Sequence, residues 1–282
     1  MSLSPTPAFA EGRRLRIESR PRWFPDLAAV VRARQLIAVL SRRSITVRYR
    51  QTVLGTAWLF GGPLVSAALF TFVFGRVAKL PSNGMPYFAF SYAGLLGWNL
   101  FSSVLASTAS SLTSNEALIT KIYFPRLVLP LSTLASTLIN TAISFFIMLA
   151  LVVIYHIGFT FQLLLLPFWL LLATMLALGI GLVLASVSVS YRDINYVTPM
   201  FTQLVMYLSP VAYGTDAVPA DLRKFYLLNP FTTVVEGCRW SLLGSASLTG
   251  WAIAYTIAMA FGLMAVGMAV FARLESSFAD VI

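Results

Sequence analysis

Six long apolar stretches constrain this chain more than any other feature of its sequence. They lie near residues 52–75, 88–113, 127–155, 163–188, 195–213 and 250–272, and none of them contains Asp, Glu, Lys or Arg. A helix needs roughly 20 predominantly apolar residues to cross the hydrocarbon core of a bilayer. Because lipid offers no partner for an open backbone group, such stretches favour helices that satisfy their own hydrogen bonds. The pattern predicts an all-α integral membrane protein with six transmembrane helices.

The composition excludes several other classes of protein. Of 282 residues, 58% are hydrophobic and only 11% are charged, whereas about 25% of the residues in a soluble domain are charged. A soluble enzyme of this length could not cover its surface with so few charges. The single cysteine excludes an intrachain disulfide scaffold, and the single histidine excludes a His-rich metal site. We expect no metal site.

Basic residues are unevenly distributed among the segments between the stretches. Eleven of the 20 Lys and Arg residues fall in the first 51 residues. If both termini are cytoplasmic, Lys121, Arg126, Arg192 and Arg273 join them inside, and only Arg76, Lys79, Arg223, Lys224 and Arg239 lie outside. Short cytoplasmic segments are enriched in Lys and Arg. The distribution predicts both termini in the cytoplasm, with contact to anionic lipid rather than to nucleic acid.

Residues 27–50 form a basic segment just before the first stretch, and we expect an amphipathic helix at the membrane interface. Its apolar side gathers Leu27, Val30, Val31, Ile37 and Ala38, with Arg34 intruding on the same side. Two interpretations stay open: a topological anchor, and a surface helix that also meets a cytosolic partner. We divide the chain into a cytoplasmic tail and interface helix (1–51), a six-span domain (52–273) and a cytoplasmic tail (274–282).

The longest connection, residues 214–249, contains an apolar run that is too short to span. Asn229 and Pro230 give a helix start signal, and Gly244 gives a stop signal. Glu236 and Arg239 form an i,i+3 pair of opposite charge. We expect re-entrant external helices between spans five and six; a helix lying on the surface without a gating role is the alternative.

The sequence offers no energy source of its own. A phosphate loop ends in Gly-Lys-Ser/Thr, but Lys79, Lys121 and Lys224 follow Ala78, Thr120 and Arg223. Proton- or sodium-coupled transporters usually carry ionisable residues inside their spans, and these stretches have none. We therefore expect a transport subunit that is not an enzyme, with ATP and Mg²⁺ bound by a separate subunit.

Five strings in order resemble the permease subunit of type-2 ABC exporters, most closely the branch that exports O-antigen, capsule, teichoic acid or other surface polysaccharides. The strings are RYRQTVLGTAW (48–58), ITKIYFPR (119–126), SYRDINYV (190–197), LSPVAY (208–213) and NPFTTVVEGCRWSLLG (229–244). The resemblance covers roughly residues 40–275. It implies a homodimer in the bacterial cytoplasmic (inner) membrane, two copies of a nucleotide-binding ATPase subunit docked below, and a lipid-linked polysaccharide as the substrate.

The resemblance also implies roles for particular residues. Contact with the ATPase is expected at Asn115, Glu116, Lys121, Tyr123 and Arg126, and the external gate at Asn229, Pro230, Glu236 and Arg239. A sugar polymer needs aromatic faces and few charges along its path, and the candidates are Trp58, Phe60, Tyr92, Trp98, Phe101, Tyr196 and Tyr207. Candidates to hold a carrier phosphate are Arg42, Arg43, Arg48 and Arg50, although core packing and ordinary lipid contact remain alternatives for both sets.

Two other functions stay open at this point. A type-2 exporter of a small hydrophobic drug or lipid would share the same strings. A secondary transporter or channel would share only the apolar stretches.

Overall fold

The computed structural model describes residues 25–49, 57–245, 248–275 and 278, and within them all regular structure is helical. The α-helices in chain order are α1 (Leu27–Arg32), α2 (Arg34–Tyr49), α3 (Ala57–Phe70), α4 (Tyr87–Ala109), α5 (Glu116–Lys121), α6 (Val128–Ile154), α7 (Leu166–Ser188), α8 (Ile194–Tyr207), α9 (Ala220–Leu228), α10 (Pro230–Leu243) and α11 (Gly250–Leu274). A π-helical segment, Thr71–Val77, prolongs α3, and a 3₁₀ turn, Phe161–Leu165, precedes α7.

Five helical segments of the described residues are long and apolar enough to cross a membrane. They are Phe60–Val77, Tyr87–Ala109, Val128–Ile154, Phe161–Ser188 and Gly250–Leu274. Each coincides with one of the apolar stretches, namely the first four and the last. The prediction of an all-α membrane protein is therefore confirmed at this level.

The fifth apolar stretch is interrupted, as expected from Pro199 and Pro210 in its sequence. Its helix, α8, has 14 residues with Pro199 inside it, which corresponds to a rise of about 21 Å against a hydrocarbon core of about 30 Å. After Tyr207 the chain turns through Leu208–Tyr213. Pro210 has no N–H to continue a helix, and the carbonyls of Pro210 and Val211 accept hydrogen bonds from Arg239 instead.

The main core lies where α4, α7 and α10 pack together, with α11 against the other side of α7. Phe231 of α10 stacks on two aromatic residues of α4, at 5.4 Å from Trp98 and 4.6 Å from Phe101 between ring centroids. Two glycines bring α7 and α11 into backbone contact: a Cβ on Gly267 would lie 2.3 Å from the Gly179 carbonyl oxygen.

A second, smaller apolar cluster gathers segments that are far apart in sequence, and we call this side of the bundle the basal end. It includes Leu40 of α2, Ile119 of α5, Val128 of α6, Val189 after α7 and Phe271 of α11. The serine at the centre of α2 anchors that helix, because the Ser41 hydroxyl donates to the Ser132 carbonyl at 3.0 Å. Helix α2 therefore packs on the bundle.

The opposite side, the distal end, collects the remaining connections. The Asn83 amide donates to the Asp216 carboxylate at 3.0 Å and to the Ser245 carbonyl at 3.1 Å. The Tyr87 hydroxyl, at the start of α4, donates to the Ala212 carbonyl at 2.7 Å. Residues 83, 212, 216 and 245 thus meet at one end.

The described part of the basic segment, residues 27–49, which we call the basic head, differs from the single helix that its sequence predicts. It breaks at Ala33 into α1, capped by the Asp26 carboxylate, and α2. Val30, Leu40 and Ser41 are buried against the bundle, whereas Leu27 and Val31 are exposed. The predicted apolar face is therefore rotated, because the groove between α2 and α6 selects residues that the helical projection alone did not.

Candidate functional site

The distal end contains the fully buried side chain of Arg239 in α10. Its guanidinium donates to three carbonyls of the turn after α8: Pro210 at 2.7 Å, Val211 at 2.7 Å and Tyr213 at 2.8 Å. It also lies 4.0 Å from the centroid of the Phe90 ring. The planar fork of arginine suits several acceptors at once. The side chain therefore fastens α10 to the end of α8 and to α4, and we call this arrangement the Arg239 clamp.

Glu236 completes the clamp. Its carboxylate accepts from the Arg239 guanidinium at 3.2 Å and from the Thr215 backbone N–H at 3.0 Å. The i,i+3 pair predicted from the sequence is confirmed, and both side chains are buried. A buried ion pair is tolerated only when its remaining donors and acceptors are satisfied, and the carbonyls of the turn meet that requirement here.

Small residues of α4 and α10 make room for this packing. A Cβ on Gly94 would lie 2.7 Å from the Arg239 guanidinium and 2.8 Å from the Val211 carbonyl. A Cβ on Gly237 would lie 2.2 Å from the Trp169 ring. Helix α10 is therefore enclosed by α4 and α7 rather than lying on the surface, and the surface-lying alternative is wrong for this helix in the structure.

Both ends of α10 follow the sequence signals. The Asn229 side chain accepts from the Phe231 N–H at 3.0 Å, Pro230 occupies the first turn, and Gly244 adopts the left-handed conformation at φ 67°. Asn229 also donates to the Leu208 carbonyl at 3.2 Å and to the Ser209 hydroxyl at 2.8 Å. The residue that caps α10 is thus a second fastening to the end of α8.

The helix before α10 has a different character. Helix α9 is largely exposed and amphipathic, and its Tyr226 hydroxyl bonds to the Tyr213 hydroxyl at 3.0 Å. The Tyr213 phenol thus serves as a hydrogen-bonding contact between α9 and the clamp.

The structure divides the aromatic candidates for the substrate path into two groups. Tyr92, Trp98 and Phe101 are buried in the main core. Phe60 of α3 is exposed, and Tyr196 and Tyr207 of α8 are 81% and 66% exposed. Trp58 lies at the start of α3, but its side chain is outside the described residues. The two groups do not meet on one surface of the single chain.

The five coupling candidates do lie close together at the basal end. Helix α5 begins at Glu116 and ends at Lys121, and Tyr123 just beyond it is 81% exposed. The Asn115 amide donates to the Ser111 carbonyl at 2.9 Å. Glu116 pairs with Arg192 of the α7–α8 connection at 3.8 Å, an exposed pair that contributes little to stability. We call residues 115–126 the basal loop.

The carrier-phosphate candidates are only partly described. Arg42 and Arg43 of α2 are exposed. Arg48 lies in the last turn of the same helix with its side chain outside the described residues, and Arg50 lies outside them altogether. The exposed pair places two positive charges on the outer face of α2, beside the buried Ser41.

Comparison with known proteins decides the family. A model of the ABC-2 type transporter family matches residues 35–243, from α2 to the last residue of α10. This chain belongs to the ABC-2 type transporter family. The match includes the basal loop, α8 and the Arg239 clamp.

Individual proteins are similar in sequence to this ABC-2 transporter chain over most of their own lengths. The O-antigen export system permease protein RfbA of Klebsiella pneumoniae is 25% identical, covering 88% of this chain and 95% of the relative. RfbA of Myxococcus xanthus is 28% identical, over 72% and 78%. The polysialic acid transport protein KpsM of Escherichia coli is 24% identical, over 86% and 94%.

Sequence reasoning missed two residues of the ABC-2 chain that the structure makes prominent, Gly94 and Glu275. Gly94 carries no signal beyond being a glycine in an apolar stretch. Glu275 looked like an ordinary polar residue of a terminal tail, yet it contacts Arg126 of the basal loop. The one available signal was that Glu275 is the first acidic residue after a span that is free of charge.

Proposed function

We propose that the chain is the membrane-spanning permease subunit of an ATP-driven exporter that moves a lipid-linked cell-surface polysaccharide outward across the cytoplasmic membrane. The observation that carries the proposal is the similarity, over 86–88% of this chain, to relatives named as an O-antigen export system permease protein and a polysialic acid transport protein. The family match and the five apolar spans support it independently of those names.

The proposed topology has six crossings with both termini in the cytoplasm. Helix α8 starts next to the basal loop, where Arg192 meets Glu116, and the turn after it reaches Tyr87 at the distal end. We therefore assign the remaining crossing, the fifth along the chain, to α8 together with its turn. The basic head belongs to the basal end, which the positive-inside tendency assigns to the cytoplasm.

The proposed assembly contains two copies of this chain and two copies of a nucleotide-binding subunit that holds ATP and Mg²⁺. Helix α3 is the least buried of the five spans, and α8 exposes Tyr196, Met200, Leu204 and Tyr207. These faces are the candidates for the contact between copies. The basal loop and the outer face of α2 are the candidates for the contact with the ATPase.

Within this assembly the residue roles are as follows. Phe60, Tyr196 and Tyr207 are the exposed candidates for the sugar path, while Tyr92, Trp98 and Phe101 support it from the core. Arg42 and Arg43 are the described candidates for a carrier phosphate, since exposed guanidinium groups at a cytoplasmic face attract phosphate. The Arg239 clamp and Asn229 hold the proposed gate helices α9 and α10 against the end of α8.

The experiment that tests this function begins with affinity purification of the tagged chain in mild detergent. We expect a nucleotide-binding subunit to copurify, the lone chain to lack ATPase activity, and the reconstituted complex to hydrolyse ATP. In vesicles, ATP should make a bound glycolipid accessible to an impermeant glycosidase on the trans side. A complex whose ATPase subunit carries an inactivating substitution is the matched control.

Two results would contradict the proposal. Movement of a small hydrophobic compound, but not of a glycolipid, would favour the exporter of a drug or lipid. Transport driven by a pH gradient in vesicles without ATP would favour a secondary transporter.

A further inference from the structure

The basal loop and the end of α11 are joined by two hydrogen bonds across 149 residues of sequence. The Arg126 backbone N–H donates to the Glu275 carboxylate at 3.0 Å. The Arg126 guanidinium donates in turn to the Glu275 carbonyl. Nearby, Phe278 stacks on Phe271 of α11 at 5.4 Å between centroids. We call the Arg126–Glu275 pair the basal clasp.

The position of Glu275 is unfavourable without this partner. It is the residue that follows the last turn of α11, where the helix dipole disfavours a negative charge. The Arg126 guanidinium offsets that cost, since it bonds a carbonyl at the end of the helix that lacks a partner within the helix. Arg126 thus caps α11, while Glu275 binds the loop.

Helix α11 continues from the clasp to the distal end. The Thr256 hydroxyl donates to the Pro230 carbonyl of α10 at 3.3 Å. From residue 256 to residue 275 the helix rises about 29 Å, close to the thickness of the hydrocarbon core. One unbroken helix therefore contacts the basal loop at one end and the first turn of α10 at the other.

We propose that Glu275 is a positioning residue that fastens the basal loop to α11, so that a displacement of this loop by the ATPase moves α10 through α11. The proposal rests on the proposed function, because it needs a partner that pushes on the loop. A packed helix with a fixed contact at each end is the kind of element that carries coupling between distant sites.

The clasp itself is tested on the lone chain, without any partner. In E275A the Arg126 N–H loses its acceptor, and we expect its hydrogen exchange to be about tenfold faster. E275Q keeps an oxygen that accepts from this N–H, so its exchange should stay close to that of the wild type. D193A removes an exposed carboxylate at the same end and is the matched control. Unchanged exchange in E275A overturns the bond to the Glu275 side chain, and with it the role proposed for this residue.

The transmission is tested on the chain together with its copurified ATPase. Cys238 is the only cysteine and is fully buried in α10, so its labelling by a small maleimide reports movement of this helix. We expect ATP to speed the labelling by about tenfold in the wild type, E275Q and D193A. In E275A the ATP effect should vanish, while assembly and ATP hydrolysis persist.

The possible failures are distinguishable. If E275A keeps the full ATP effect on Cys238, α11 does not transmit the displacement and the proposal is overturned. If E275A loses both assembly with the ATPase and ATP hydrolysis, Glu275 has only a structural role, which also overturns the proposal. If no nucleotide-binding subunit copurifies with the wild type, the proposed function fails and transmission from an ATPase fails with it, whereas the exchange experiment still decides whether the clasp exists.

Discussion

At the scale of single residues, the buried charge of the described residues lies in one place. Arg239 and Glu236 are the charged side chains among these residues that are buried, and each finds its partners within the protein. Desolvating two ions is expensive, and the expense is offset only while both ions and the three carbonyls remain together. The Arg239 clamp therefore holds one specific arrangement of α10 and α8.

This arrangement predicts that substitutions of Arg239 lower the stability of the fold by graded amounts. R239Q should lower the free energy of unfolding by about 3–5 kcal/mol, because Glu236 would stay buried without a cation. R239K should fall between R239Q and the wild type, since one ammonium group cannot reproduce the planar fork. The measurement is thermal unfolding in detergent, followed by the reactivity of the buried Cys238 thiol.

The matched control for the clamp is K224Q, which removes an exposed positive charge from α9. The midpoint of thermal unfolding of K224Q should equal that of the wild type. An R239Q midpoint equal to that of K224Q would show that the clamp does not stabilise the fold.

At the scale of elements, two glycines at the crossing of α7 and α11 decide how closely these helices approach each other. Gly179 and Gly267 face each other, and a Cβ on Gly179 would lie 2.5 Å from the Leu263 backbone. Small residues let transmembrane helices approach until their backbones touch. The same contact holds α11 in place along its length, between the basal clasp and α10.

Alanine substitutions along α11 test this crossing. G267A should destabilise the chain by about 1–3 kcal/mol, because the added methyl group overlaps the Gly179 carbonyl. G262A, in the same helix, meets no atom within 4 Å, and it should be neutral or slightly stabilising, as expected of Gly-to-Ala in a helix. Melting temperatures of the two variants in one detergent give the comparison, and equal values would contradict the tight crossing.

At the scale of the whole molecule, the two ends of the bundle carry different chemistry. The basal end gathers the basic head, the basal loop and the end of α11. The distal end gathers α9, α10 and the polar contacts of Asn83. An exporter needs such polarity, because its energy source acts on one side and its product leaves on the other.

The proposed orientation predicts which introduced cysteines react in intact cells. An impermeant maleimide should label K224C at the distal end directly, but T120C at the basal end only after permeabilisation. Both positions are exposed, and the native Cys238 is buried, so the background should be low. Equal labelling of both variants in intact cells would refute the assignment of the two ends to opposite sides of the membrane.

The sequence alone determined the features that depend on local free energies. Transfer of apolar side chains into lipid is additive along a segment, so five spans could be located, four of them within four residues at each end. Helix caps are equally local, and the signals at Asn229 and Gly244 marked both ends of α10. The pair of Glu236 and Arg239 followed from helical spacing for the same reason.

Only the tertiary structure decided what those local elements contact. Arg239 bonds carbonyls nearly 30 residues away, Arg126 meets Glu275 across 149 residues, and α8 ends where its turn finds the guanidinium. Backbone carbonyls carry no side-chain signature, so no pattern of letters shows which of them a buried arginine will reach. Hydropathy reports how favourably a segment enters the membrane, whereas these contacts depend on which helices lie side by side once the segments have entered it.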